Sequence, residues 1–106
     1  MFMALIRSYK RGQGINITGN GKSIDIIVKR VGWGRGNPRV DLEIKGHPKI
    51  TNIHLNETNS YFILYHCIKI FRGYKQHNRG AIRLIASGPK EYKFEQKNYK
   101  TNLKQI

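Results

Sequence analysis

Residues 80–97, GAIRLIASGPKEYKFEQK, decide how this chain folds. Ile82, Leu84 and Ala86 fall on one face of an extended segment and Arg83, Ile85 and Ser87 on the other, because side chains alternate with period two in a strand. The break Ser87-Gly88-Pro89-Lys90 follows, and Tyr92 and Phe94 then resume the alternation, which reads as a two-stranded unit with a basic outer face. Residues 38–57 repeat the plan. Val40, Leu42 and Ile44 alternate with charged residues, Gly46-His47-Pro48-Lys49 makes the break, and Ile50, Ile53 and Leu55 follow. Two related halves are therefore expected within one domain spanning 1–106: repeat A over about 3–57 and repeat B over about 61–106.

The remaining stretches fill in a mainly β chain. Residues 3–9 read as an edge or exchanged strand, followed by a charged turn at Lys10-Arg11-Gly12. Ile15 and Ile17 share one face of a short strand, and Gly19-Asn20-Gly21 is a hairpin turn because Asn-Gly tolerates left-handed backbone angles. Residues 23–31 are the most β-branched run and predict a central strand with Ile24, Ile26 and Val28 inward. A glycine-rich loop over 32–37 carries Trp33 and Arg35. It reads either as a hairpin loop whose Trp folds back on the sheet, or as a finger that stacks a base on Trp33 and sets Arg35 against phosphate. Residues 56–60 form a connector too short for two independent domains. Residues 61–72 predict two buried strands or one long bent strand, and the second half lacks a counterpart of residues 5–11. The spacing of Tyr99, Leu103 and Ile106 allows a short C-terminal helix.

Twenty Lys and Arg against six Asp and Glu give a formal net charge of +14, the balance of a polyanion binder. No apolar run approaches the roughly 20 residues of a membrane-spanning helix, and there is no basic amphipathic helix, so nucleic acid is the expected partner and a membrane is not. The apolar start is too short for a secretion signal, which makes a cytoplasmic location the expectation. A lone Cys67 can make no intramolecular disulfide. His47, His54, His66 and His77 are scattered, none at zinc-binding spacing. His54 with Glu57, or His66 with Cys67, are the pairs that acid/base or nucleophilic chemistry would need, but His66 and Cys67 should point to opposite faces of a strand. No enzyme, metal or cofactor is expected. What remains is a basic sheet interleaved with aromatics: Arg7, Tyr9, Lys10 and Arg11 near the start, and Lys90, Tyr92, Lys93, Phe94 and Lys97 near the end.

These residues carry a resemblance. Arg83-Leu84, Ser87-Gly88-Pro89-Lys90-Glu91 and the pair Tyr92/Phe94 resemble the strand, turn and strand that close the carbon storage regulator (CsrA/RsmA) family. Residues 5–17, LIRSYKRGQGINI, are similar to its opening strand, basic pair, glycine and second strand. The resemblance implies an intertwined β-sandwich or barrel made from two fused repeats, a monomeric pseudo-dimer with one RNA site shared between the first and last strands. It also implies that stem-loop RNA bearing GGA is the ligand. By position, Arg7, Ser8, Tyr9, Lys10 and Arg11 supply the first-strand contacts, Ser87, Gly88, Pro89 and Lys90 the turn, and Tyr92, Lys93 and Phe94 the last strand. Gln96 stands where the family's last-strand arginine aligns, and Tyr9 occupies one of its two basic positions; both departures bear on GGA preference and not on general RNA binding.

Three functions follow in order of expectation. The first is a non-enzymatic RNA-binding regulator acting on mRNA leaders or small RNA. The second is a protein-interaction module that pairs with and antagonises a CsrA-type regulator. The third is a small basic ribonuclease using His54 or His77.

Overall fold

The computed structural model describes residues 2–34, 37–73 and 80–99. Among them the strands are β1 (Phe2–Lys10), β2 (Gln13–Gly19), β3 (Lys22–Gly34), β4 (Asn37–Lys45), β5 (Asn52–Leu55), β6 (Tyr61–Leu64), β7 (Ile68–Arg72), β8 (Ala81–Pro89) and β9 (Lys93–Asn98). They form two antiparallel sheets, β1-β8-β7-β6 and β5-β4-β3-β2-β9. The described residues do not close into a barrel, so of the two expected architectures the two-sheet one is found.

Local chemistry explains the turns. Asn20 and Gly21 both adopt positive φ, 49° and 74°, the left-handed pair that a two-residue hairpin requires, and Gly19 pairs with Lys22 across it. The run 61–72 resolves into two strands because Tyr65 and His66 adopt the same left-handed geometry (φ 50° and 63°), with Cys67 N–H donating to Leu64 O at 3.1 Å. His66 and Cys67 therefore lie in a turn, not on a strand as expected. The glycine-rich loop is also shorter than expected: β3 continues to Gly34, with Trp33 opposite Pro38, after a bulge between Val28 and Arg30.

The connector is an ordered turn. Asn56 Oδ1 accepts from Thr58 and Asn59 N–H at 2.9 and 2.8 Å, while the buried Arg72 donates from Nε to Asn56 O at 2.8 Å. It leads from the five-stranded sheet into the four-stranded one.

The alternation read from sequence sets the faces. Ile15, Ile17, Ile24, Ile26, Val28, Val40, Leu42 and Ile44 from one sheet meet Tyr9, Leu64, Ile68, Ile70, Ile82, Leu84 and Ala86 from the other in one buried cluster. Burying a Leu- or Ile-sized side chain contributes roughly 1.5–3 kcal/mol, so this cluster, drawn from both halves, dominates stability.

The halves differ at their ends. β5 returns to pair with β4, whereas β9 leaves β8 and joins the opposite sheet beside β2. The two-stranded unit expected over 80–97 is thus two strands in different sheets. The reason lies in the turn. Tyr92 N–H donates to Pro89 O at 3.0 Å, and Tyr92 is buried, which folds the chain across the sandwich. Gly19 lets that turn approach β2, since a Cβ there would sit 2.5 Å from Glu91 O. The helix expected at the end finds β9 extended through Asn98; residues 100–106 lie outside the described residues.

Candidate nucleic-acid interface

β1 is an edge of the four-stranded sheet and β9 an edge of the five-stranded sheet. Their Cα atoms come within 8 Å, so the two edges form one rim of the sandwich. Phe2 lies opposite Pro89, where the chain turns toward β9. At the other end, Lys10 N–H donates to Gln13 Oε1 at 2.8 Å, and Gln13 lies opposite Asn98. The strands therefore run side by side along the rim. β1 and β9 are not paired with each other: β1 pairs with β8 and β9 with β2, and the two strands meet across the sandwich. Each strand pairs on one side only among the described residues, which leaves a row of backbone donors and acceptors open on each.

Arg7 is the central cation. It lies opposite the buried Leu84, on the face that carries Tyr9 and Leu5, yet it is exposed. Its Nη1 donates to Ile6 O of the same strand at 3.1 Å. Lys10 and Arg11 stand exposed at one end of the rim, Lys90 in the turn at the other, and Lys93 and Lys97 along β9 opposite Thr18 and Gly14. Lys93 Nζ lies 3.6 Å from Glu95 Oε2, an exposed pair of little energetic weight.

The other expected contacts divide. Ser8 is exposed on the outer face of the four-stranded sheet, and the half-buried Ser87 shares that face opposite Ala4. Pro89 and Phe94 are half-buried, and Phe94 packs on the core. Gly88 is buried under the Phe94 ring, where a Cβ would come within 3.1 Å of it. Gln96 is exposed opposite Ile15. Two aromatics expected at the surface are not there: Tyr9 is fully buried and Tyr92 nearly so, their rings having been drawn into the core by apolar neighbours. Trp33 lies in the β3–β4 arm, five residues beyond Val28, or roughly 16 Å at strand rise. Its side chain and Arg35 lie outside the described residues.

Tyr99, in the sequence only one position of a helical spacing, fastens the end of β9. Its N–H donates to Gly12 O at 2.6 Å and its hydroxyl to Asp25 Oδ1 at 2.6 Å, the carboxylate that also accepts from Asn16 Nδ2 at 2.9 Å. Burial, then the bond to Asp25 and its charge, raise the Tyr99 hydroxyl well above its ordinary range. Burial pushes the Tyr9 hydroxyl up to about 12, against an opposing pull from Arg7. Tyr9 Oη has no hydrogen-bond partner among the described residues. Beside Tyr99 opens a groove of about 1070 Å³ lined by Lys10, Arg11, Lys29 and Lys45 together with Asp25 and Glu43. Lys29 and Lys45 thus lie beside the Lys10 and Arg11 end of the rim.

His54 contacts Asp41 across β4 and β5 rather than Glu57, with Arg30 Nε 3.8 Å from the same carboxylate. His47 Nδ1 accepts from Lys49 and Ile50 N–H in the β4–β5 turn. His77 lies outside the described residues. Among the described residues no group of three or more His, Cys, Asp or Glu is placed to hold a metal, and no helix is long and apolar enough to cross a membrane. Searches against protein-family models, curated proteins and solved structures found nothing that matches this chain.

Proposed function

We propose that this protein is a non-enzymatic RNA-binding regulator of translation or message stability, whose RNA track is the rim formed by β1 and β9. The observation that carries the reading is the meeting of two open strand edges from opposite ends of the chain, whose strands and bordering turns carry Arg7, Lys10, Arg11, Lys90, Lys93 and Lys97 against Glu91 and Glu95. Open edges offer backbone groups to unstacked bases, and the cations hold phosphates. The exchange of end strands between halves supports the resemblance to the carbon storage regulators, whose RNA site is likewise shared between a first and a last strand. On this reading the chain is a pseudo-dimer with one full site. With Gln96 at the family's arginine position and Tyr9 in the core, base choice rests on the backbone edges and stem-loop shape.

Selection from a random RNA pool tests this directly. Enrichment of a structured motif, and loss of it on Arg7→Ala, is the expected result. Recovery of a CsrA-type protein that stays bound after nuclease treatment, with no RNA enrichment, overturns it in favour of a protein-interaction module.

A further inference from the structure

The outer face of the four-stranded sheet carries a feature that the rim does not use. Ile6 lies opposite Ile85, Ile85 opposite Phe71, and Phe71 opposite Tyr61, so four apolar side chains stand in register across β1, β8, β7 and β6. At about 4.8 Å between strands the row spans roughly 14 Å. Ile6, Tyr61 and Ile63, the most exposed large hydrophobic side chains among the described residues at 51, 52 and 50 %, all lie on this face. Such a concentration marks a contact surface.

Charge says what contacts it. The acidic residues Asp25, Asp41, Glu43 and Glu95 are on strands of the other sheet, Glu57 is in the connector and Glu91 in the turn before β9, so the strands of this sheet hold none. The face does hold Lys69 and Arg83. Lys69 Nζ sits 4.6 Å from the Tyr61 ring centroid and 5.2 Å from that of Phe71, over the two rings. A second copy of this chain would set these cations against their equals. A bilayer would have to bury the Lys69 ammonium at the centre of the patch. A ligand that is flat, apolar on its faces and anionic along its backbone meets every element: bases on the rings, phosphates on Lys69 and Arg83.

We propose that this face is a second nucleic-acid surface, which binds single-stranded RNA by stacking bases on Tyr61 and Phe71. It adjoins the rim along β1, whose Ile6 serves the face and whose Arg7 serves the rim.

The test uses the full chain and a fluorescent uridine oligonucleotide of about ten residues, sized to a single-strand site. Tyr61→Leu and Phe71→Leu keep the face apolar but remove its rings, and Tyr61→Phe keeps the ring. Each leucine variant is expected to weaken binding roughly 5- to 150-fold and Tyr61→Phe by less than about twofold. Photocrosslinks from iodouridine are expected on the peptide carrying Tyr61 or Phe71. Unchanged affinity in both folded leucine variants overturns the proposal, as do crosslinks confined to β1 and β9. So does a face that instead captures anionic vesicles or a protein equally well in all three variants. A structured RNA measured in parallel separates the two readings. If Arg7→Ala weakens it while the leucine variants leave the oligonucleotide untouched, the second surface alone falls; if the unmodified protein binds neither RNA, both fall.

Discussion

Removing Arg7 is the most informative single perturbation of the rim. On a single strand each neutralised phosphate contributes about 0.7 to the slope of log affinity against log salt. Six exposed cations lie on the two edge strands or in the turns that border them, and Glu95, 3.6 Å from Lys93, partly neutralises one. About five effective contacts give a slope near −3.5, so raising salt from about 50 to 200 mM weakens binding on the order of a hundredfold. Arg7→Ala removes an exposed guanidinium from an edge strand of the rim. It is expected to flatten the slope by about 0.7 and to cost about 1.5–3 kcal/mol, the range for a charged hydrogen bond. Lys93→Ala is expected to cost less, because Glu95 already competes for that ammonium. On the proposed track Arg7 and Lys93 hold one RNA, and the double variant is expected to show a coupling of at least about 0.5 kcal/mol. Lys49→Ala, in the exposed β4–β5 turn at the far end of the five-stranded sheet, is the control; Lys29 and Lys45 are unsuitable because they border the groove beside Lys10 and Arg11. Anisotropy titrations at four or so salt concentrations read all of this. Equal losses for Lys49→Ala and Arg7→Ala, an additive double variant, or a slope near zero would each refute a site built from both chain ends.

Other expectations concern the scaffold. Cleaving between Asn59 and Ser60 separates β1 from β8 and β9 from β2, so neither fragment alone is expected to show cooperative unfolding, and mixing the two to restore it is the check. Tyr9→Phe removes a buried hydroxyl that lacks a partner among the described residues and is expected to raise stability by about 1 kcal/mol in urea titrations. Both raised phenols keep their protons in the folded state beyond the point where the unfolded chain releases them. Stability from this source is therefore complete below pH 10 and lost as pH rises toward about 12; Tyr9→Phe is expected to flatten that loss. His66→Gly relieves one left-handed non-glycine residue and is expected to stabilise by about 1 kcal/mol, read as a shift in the thermal midpoint.

Where period-two alternation was unbroken the fold was legible. Val40, Leu42, Ile44, Ile82, Leu84 and Ala86 are all in the core, and Asn20-Gly21 turns as its chemistry dictates. What alternation does not report is which sheet a strand joins. β9 has the pattern of a partner for β8, yet a tight turn at Pro89, a buried Tyr92 and the space over Gly19 send it to β2. Aromatics misled for a related reason. Tyr9 and Tyr61 are identical in composition terms, but Tyr9 lies opposite Ile82 on the inward face and Tyr61 opposite Phe71 on the outward one. Only cross-strand register distinguishes them. Of the site, the cations near both chain ends could be read from sequence. The meeting of β1 and β9 across the sandwich rather than along a shared ladder could not.

The interleaving of chain ends has a consequence for biogenesis. β1 finds its partner β8 about eighty residues later, and at roughly 5–20 residues per second a ribosome leaves it unpaired for some 4 to 16 s. Pairings so distant in sequence are also slow to nucleate once the chain is complete. During that interval the β8 of a neighbouring copy is an equivalent partner, which is the situation that produces domain-swapped dimers. Refolding at high protein concentration is expected to yield such a species by size exclusion, and dilute refolding the monomer. In the swapped dimer every rim is rebuilt from the β1 of one copy and the β9 of the other, so the exchange puts two rims on one particle and leaves the make-up of each unchanged.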